Sequence, residues 1–502
     1  MKNYKLLAAL NSLSSRECQD FRRYVRSPFF TRNITVSRLL DILLENLPKD
    51  SEPTMDENQV FQTLFPDKTF HKQRLREAFA DLFSLLKSYL AYQEYQQNPY
   101  QEEVYALAQF RKRQLNKAFG TQLHSLSRQL DQVQEISSDY YKIRSDMALE
   151  ANGFYGQQQV RVFDHNLQQR ADSFDLYYLI IKLRESCEML NRKHVMNADY
   201  ELHLLPELED WIQHRLPEAM QVPSVLIYRQ IYLSLKHGDQ QEHFAKLAEL
   251  LESHQAELDQ EEVRAMYKYA QNYCIRQINQ GNSRYLNRLF DLYNNQLNNS
   301  RIFTNGMLSH TDYKNIATVG LRIHAYEWVH TFLETYRESV SPAFRMNVYN
   351  YCMASLYLEK AAYAQTIRLL QQVNFTDIHY RISAQYLLLK AYYETEDWDG
   401  LEYLIKAFVN YVRRTKEISP HNRTNHKNFL RILKKLIRLN ERYGKERHIQ
   451  QAIKDLQAQI EDLPQIPHDQ WLREKVDQLL RTTHTNQVRL TDSDIAQSPE
   501  EE

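Results

Sequence analysis

Between Met346 and Tyr411 the apolar positions of the chain repeat. Ala354, Tyr357, Tyr363, Thr366, Ile367, Leu370 and Val373 recur 35 residues later as Leu389, Tyr392, Trp398, Leu401, Glu402, Ile405 and Phe408. Only the pair Ile367 and Glu402 breaks the correspondence, and the polar stretch Glu359 to Ala361 is answered by Glu394 to Glu396. Each copy reads as an apolar helix, a short turn and a second amphipathic helix, and a period in the mid-thirties is that of stacked helical hairpins. More eroded hairpins are predicted over 225–237 with 244–254, 261–280 with 286–297, 313–324 with 326–336, and 425–443 with 448–460, with a capping helix over 471–480. A single hairpin cannot bury its apolar face, so neighbours must stack.

The front of the chain has a different pattern. Ser14 precedes a helix whose third position, Glu17, can reach back to it as a capping box. That helix carries Phe21, Tyr24 and Val25 inward and stops at Ser27-Pro28, because the residue before proline disfavours the α region. Phe29 and Phe30 are expected to plug against the next helix, 34–47. A loop follows over 48–53, then helices over 57–65 and 69–95, the latter with Leu75, Phe79, Leu82, Phe83, Leu86 and Leu90 at helical spacing. From 100 to 156 a polar helical stretch carries the stripe Val104, Leu107, Phe110, Leu115, Leu123, Leu126, Leu130 and Val133. Helices over 160–170, 174–196 and 204–214 lead to Pro217 and Pro223. Four regions result: an N-terminal helical domain, 1–98; a spacer of irregular hairpins, 99–222; the hairpin series with its cap, 223–480; and an acidic tail, 481–502, whose low apolar content predicts disorder.

At the residues of the two copies the chain resembles the tetratricopeptide repeat. It departs from that pattern at Leu389, where the family has glycine, at Thr366 and Leu401, where it has alanine, and in lacking the terminal proline. The resemblance implies an all-α fold: a right-handed superhelical α-solenoid of stacked helical hairpins behind an N-terminal helical domain. It also implies that the first helix of each hairpin lines a concave groove, which places Tyr351, Ser355, Ser383, Tyr386, Lys390 and Tyr393 on the groove wall. Aromatics with a lysine between them suit an extended peptide or an acidic helix. The front end is similar to the opening of a group of bacterial helical-repeat proteins of unknown function, a likeness that carries no activity.

Composition agrees with helix: 9 glycines in 502 residues. Sixty-three Lys plus Arg against 64 Asp plus Glu give a formal net charge of −1, which does not support a globally basic nucleic-acid coat. The charge is uneven, however. Between Tyr411 and His448 stand Arg413, Arg414, Lys416, Arg423, Lys427, Arg431, Lys434, Lys435, Arg438, Arg442, Lys445 and Arg447 against Glu417, Glu441 and Glu446, a local excess of nine. In the helix from Asn425, Phe429, Leu430, Leu433, Leu436 and Ile437 take one side, and Lys427, Arg431, Lys434, Lys435 and Arg438 mainly the other. Such a face is either solvated or a site for an acidic segment, the chain's own tail included, or for nucleic acid. At the front, the turn Pro66 to Lys68 followed by Lys72, Arg74 and Arg76 admits a helix-turn-helix reading, opposed by Asp67, Glu77 and Asp81.

No catalytic constellation emerges. Neither phosphate-loop nor dinucleotide glycine spacing occurs, and the histidine pairs His237 with His243, His324 with His330 and His421 with His426 lack metal-site spacing. Cys18, Cys187, Cys274 and Cys352 are far apart and read as small core residues of a reducing compartment. Neither a signal-peptide core nor a membrane span is found, so the expectation is a cytoplasmic protein with no cofactor or metal, acting as an interaction scaffold for a protein or peptide partner. The alternative is a nucleic-acid-associated regulator using the front hairpin or the basic 413–447 face.

Overall fold

Helices pack against their sequence neighbours throughout the computed structural model, which describes residues 5–46, 56–156, 164–196, 199–205, 207–208, 212, 221–238, 240–373, 378–442, 449–463 and 466–481. The fold is all-α, with no strand among the described residues and only isolated bridges such as Thr304 to Met307. No helix among them is long and apolar enough to cross a membrane. The loop 48–53, most of the helix expected over 204–214, Lys445, Arg447 and the tail beyond 481 lie outside the described residues. Two compact units divide the chain, Met1–Met266 and Tyr267–Glu502, the boundary falling inside a helix.

The first unit opens with α1 (Lys5–Asn11), α2 (Ser15–Arg26), α3 (Ile34–Asn46), α4 (Glu57–Leu64) and α5 (Lys72–Gln97). The capping box at α2 is formed: Ser14 N donates to Glu17 Oε2 at 2.7 Å, and Glu17 N donates to Ser14 Oγ at 3.2 Å. Phe21, Leu39, Leu43, Phe61, Leu75, Leu82 and Leu86 are all buried in one front core. Next come α6 (Pro99–Lys112), α7 (Asn116–Leu130) and α8 (Ser138–Gly156), around Leu107, Phe119, Leu126 and Met147. One helix, α9 (His165–Met196), stands where two were expected to break between 170 and 174. The segment has neither proline nor glycine, and Gln168 donates to Asp172 at 2.7 Å one turn on, so the polar stretch continues the helix instead of ending it. Then follow α10 (Pro223–Lys236), α11 (Gln241–His254) and the start of α12 (Gln260–Asn279).

The second unit carries the series α13 (Tyr285–Asn298), α14 (His310–Arg322), α15 (Tyr326–Tyr336), α16 (Pro342–Glu359), α17 (Tyr363–Gln371), α18 (Ile378–Glu394), α19 (Trp398–Arg414), α20 (Pro420–Arg442) and α21 (Ile449–Glu461), with residues 469–481 helical after it. The two sequence copies are α16/α17 and α18/α19. Ala354, Thr366, Leu389 and Leu401 are fully buried between the helices of their hairpins, and Thr366 Oγ1 donates to the Ala354 carbonyl at 3.2 Å. The threonine that departs from the tetratricopeptide pattern thus ties the two helices together.

One turn geometry recurs. In α16/α17, Ala361 has φ 55° and Ala362 N donates to Tyr357 O at 2.8 Å; in α18/α19, Glu396 has φ 55° and Asp397 N donates to Tyr392 O at 3.1 Å. His324 between α14 and α15, with φ 60°, is followed by the same bond, Ala325 N to Gly320 O at 2.9 Å, and Gln114 between α6 and α7 adopts φ 57° with Leu115 N on Phe110 O at 2.9 Å. This is the left-handed helix end that glycine usually occupies, built here mostly without glycine.

Gly320 is fixed by packing instead. A β-carbon there would stand 2.5 Å from Val329 Cγ2, and Val329 is fully buried in the α14/α15 contact. Gly320→Ala is therefore expected to cost about 1–2 kcal/mol despite alanine's better helix propensity, because overpacking at that distance outweighs it. Urea denaturation of the variant checks this.

Candidate functional site

The predicted groove wall separates into two parts. In the first, Tyr351 is buried in an edge contact with Tyr380, ring centroids 5.9 Å apart, and Lys314 Nζ lies over both rings at 5.4 and 4.5 Å. Ser383 hydrogen-bonds the Tyr351 hydroxyl, whose pKa burial pushes up to about 12, and Ser355 Oγ donates to the Tyr351 carbonyl at 2.9 Å. Tyr351, Ser355 and Ser383 are thus brought together.

The second part, Tyr386, Lys390 and Tyr393, is covered by the chain's own segment 468–475. Tyr386 is 3% exposed and Tyr393 6%. The Tyr386 ring meets His468 at 4.7 Å and Phe429 at 4.8 Å, and its hydroxyl is 2.6 Å from His426 Nδ1. Tyr393 packs edge-on against Trp471 at 5.3 Å, and Lys390 Nζ lies 5.6 Å from the same indole. Glu394 anchors the segment: Trp471 Nε1 donates to its carboxylate at 3.1 Å and Lys475 Nζ at 2.6 Å. Desolvation, with Lys390 adding like charge, lowers the pKa of His468 to about 3, and desolvation lowers that of Lys390. The sequence reading missed this cover. Its signal was the spacing of Trp471 and Lys475, which places an indole and an ammonium on one face of a helix.

The basic face resolves into a stripe. Lys427, Arg431, Lys434 and Arg438 are exposed along α20, and none of the four forms an ion pair among the described residues. Steps of four, three and four residues set neighbouring cations roughly 5–6 Å apart. Lys435 turns aside, half-buried and hydrogen-bonded to Gln459. Arg423 is also withdrawn, its Nη2 donating to the Thr415 and Ile418 carbonyls at 3.0 and 3.3 Å, where it pins the loop between α19 and α20. Glu402 of α19 stands beside the stripe, its pKa lowered by Lys406 at 3.0 Å and by Lys434 and Arg438.

Two cations of the front helix-turn-helix candidate, Arg74 and Lys72, are engaged locally, while Arg76 is exposed. Arg74 lies over the Phe65 ring at 4.7 Å and Lys72 sits 3.6 Å from Glu57. Further along the first unit, a cleft of about 480 Å³ is lined by Tyr140, Tyr141, Arg144 and His165, among others. Arg144 there is already committed to Asp131 at 3.1 Å and the Tyr140 hydroxyl at 2.6 Å. Cys187, Cys274 and Cys352 are buried, which raises their thiol pKa values.

Glu262 of α12 is unusual in the same unit. Burial raises its pKa to about 7 against an ordinary 4.5, opposed in part by the Arg184 charge and by the hydroxyls of Tyr228 and of Ser224, whose Oγ is 3.4 Å away. The raised value means that stability falls as pH rises from about 4.5 and levels off above about 7. Glu262→Gln is expected to stabilise the protein by about 1–2 kcal/mol at pH 8 and to be near neutral at pH 5, read from denaturation at both values.

No protein-family model matches the chain, and neither the curated proteins nor the solved structures contain a match to it. The class is therefore set by the fold alone: an all-α protein of sequentially packed helical hairpins.

Proposed function

We propose that the chain is a non-catalytic interaction scaffold of degenerate tetratricopeptide type, acting in the cytoplasm, and that it binds an acidic helical segment of a partner protein. The observation that carries this reading is the α20 stripe, four exposed cations in register on one helix face with no ion pair among the described residues. An unpaired row of this kind keeps its field available to a partner. It spans about 16 Å, three helical turns, which matches a short helix bearing carboxylates at the same spacing. Four cations would hold a nucleic-acid backbone only weakly, because that affinity grows with the number of phosphates neutralised.

A fluorescein-labelled alanine-rich helix with glutamates spaced four, three and four residues apart is expected to bind the full chain at low salt. Affinity should fall about tenfold in Arg431→Glu/Lys434→Glu. Tighter binding of single-stranded or duplex nucleic acid, lost in the same variant and collapsing steeply with salt, would instead favour a nucleic-acid-associated regulator.

A further inference from the structure

Six aromatic rings from four elements form a continuous strip on the surface of the first unit. Phe29 and Phe30 come from the α2–α3 loop, Tyr24 from α2, Tyr92 and Tyr95 from α5, and Tyr105 from α6. Phe29 meets Phe30 edge-on at 5.0 Å, Phe30 stacks on Tyr24 at 3.8 Å, and both reach Tyr92 at 6.2 and 6.3 Å. From Tyr92 the strip runs to Tyr95 at 6.3 Å and on to Tyr105 at 6.1 Å, the last two steps between nearly parallel rings. Phe29 is 87% exposed and Tyr105 54%, and Phe30, at 37%, packs on Tyr24 of α2 and Tyr92 of α5, so the expectation that Phe29 and Phe30 plug against α3 is wrong. The loop is nevertheless held in place: Phe30 N and Thr31 N donate to the Ser27 carbonyl at 3.1 and 3.2 Å, and Tyr24 is rooted on Tyr89 of the front core at 5.5 Å. The rings thus stand exposed on an ordered base, an apolar patch of the kind that marks interaction sites.

We propose that this strip docks an extended, basic segment of a partner protein. Charge selects the occupant. Glu102 and Glu103 lie beside Tyr95, while at the other end Arg22 and Arg26 share Asp41 at 2.9 and 2.8 Å, Arg23 pairs with Asp20 at 3.1 Å and Arg32 is exposed, so the carboxylates select a cation at the tyrosine end and the phenylalanine end takes apolar side chains. Polyanions are repelled at the tyrosine end, whereas a guanidinium or ammonium gains both the ring faces and the carboxylates. Spacing agrees: side chains on one face of an extended chain recur every two residues, about 6.6 Å, close to the steps between the tyrosines, whereas a polyproline helix repeats at about 9.3 Å. The bound segment lays apolar side chains over Phe29 and Phe30 and sets its cations at Tyr95 and Tyr105. This surface and the α20 stripe prefer opposite charges, so either assignment can fail without the other.

The test uses the full chain and a labelled octapeptide with leucine at its second and fourth positions, arginine at its sixth and eighth, and threonine elsewhere. Fluorescence anisotropy should show binding that weakens about tenfold in Phe29→Ala and in Tyr105→Ala, and also in Glu102→Gln/Glu103→Gln, all side chains at the surface. Four results overturn the proposal: no binding; equal binding of the peptide with glutamate for arginine; a twelve-nucleotide single strand whose binding is lost in Phe29→Ala; or self-association by sedimentation that Phe29→Ala abolishes.

Discussion

Phe429→Ala is expected to cost about 3–5 kcal/mol, the loss typical of a fully buried phenylalanine. Phe429 is 0% exposed and lies where three elements of the second unit converge. Its ring meets Tyr386 of α18 edge-on at 4.8 Å and reaches His468 and Trp471 at 6.4 Å each. Tyr386 and the indole are themselves pinned, by His426 and Glu394, so the surround cannot collapse into the space and a cavity persists. Phe429→Leu, closer in volume, should cost below about 1.5 kcal/mol. Denaturation midpoints give the two values, and hydrogen exchange should accelerate first in α18, α20 and the terminal helix.

Acid should weaken the same region. His468 has a folded pKa of about 3 against an ordinary 6.5, because it is buried beside Lys390 among the rings of Tyr386 and Phe429. The folded value is depressed, so above about 6.5 the imidazole is neutral in both states and its contribution is complete; as pH falls below that, only the unfolded chain takes up the proton. By pH 5 the loss amounts to about 2 kcal/mol. Other groups titrate over the same range, so the quantity to measure is the difference between wild type and His468→Gln at pH 7.5 and pH 5. That difference should shrink by about 2 kcal/mol on acidification; a pH-independent difference would show that His468 takes up its proton as readily in the folded chain as in the unfolded one.

Much of the helix order was legible because apolar spacing and caps are local. Ser14 and Glu17 announced α2, Ser27-Pro28 its end, and the 35-residue echo the two hairpins α16/α17 and α18/α19. The turns were harder. Gln114, His324, Ala361 and Glu396 share a left-handed backbone that any of these side chains can be forced into by the flanking helices, so no residue type marks it. Register set Tyr386, Lys390 and Tyr393 on one side of α18, yet could not tell that His468, Trp471 and Lys475 cover that side, since the contact spans some 80 residues of chain. On α20 the exposed stripe was readable from periodicity, whereas the inward turn of Lys435 depends on Gln459 of the next helix. The aromatic strip was missed because hydrophobicity was read as burial. Two consecutive phenylalanines in a five-residue loop after Pro28 cannot both reach the core, and that was its available signal.

A charge swap tests the scaffold reading most directly. The variant Lys427→Glu/Arg431→Glu/Lys434→Glu/Arg438→Glu alters only exposed side chains, so its circular dichroism should match wild type. It should lose the glutamate helix by about tenfold or more and gain the same helix with lysine in place of glutamate, which wild type rejects. Retention of the glutamate helix by the reversed variant, or its failure to take the lysine helix, would contradict the account.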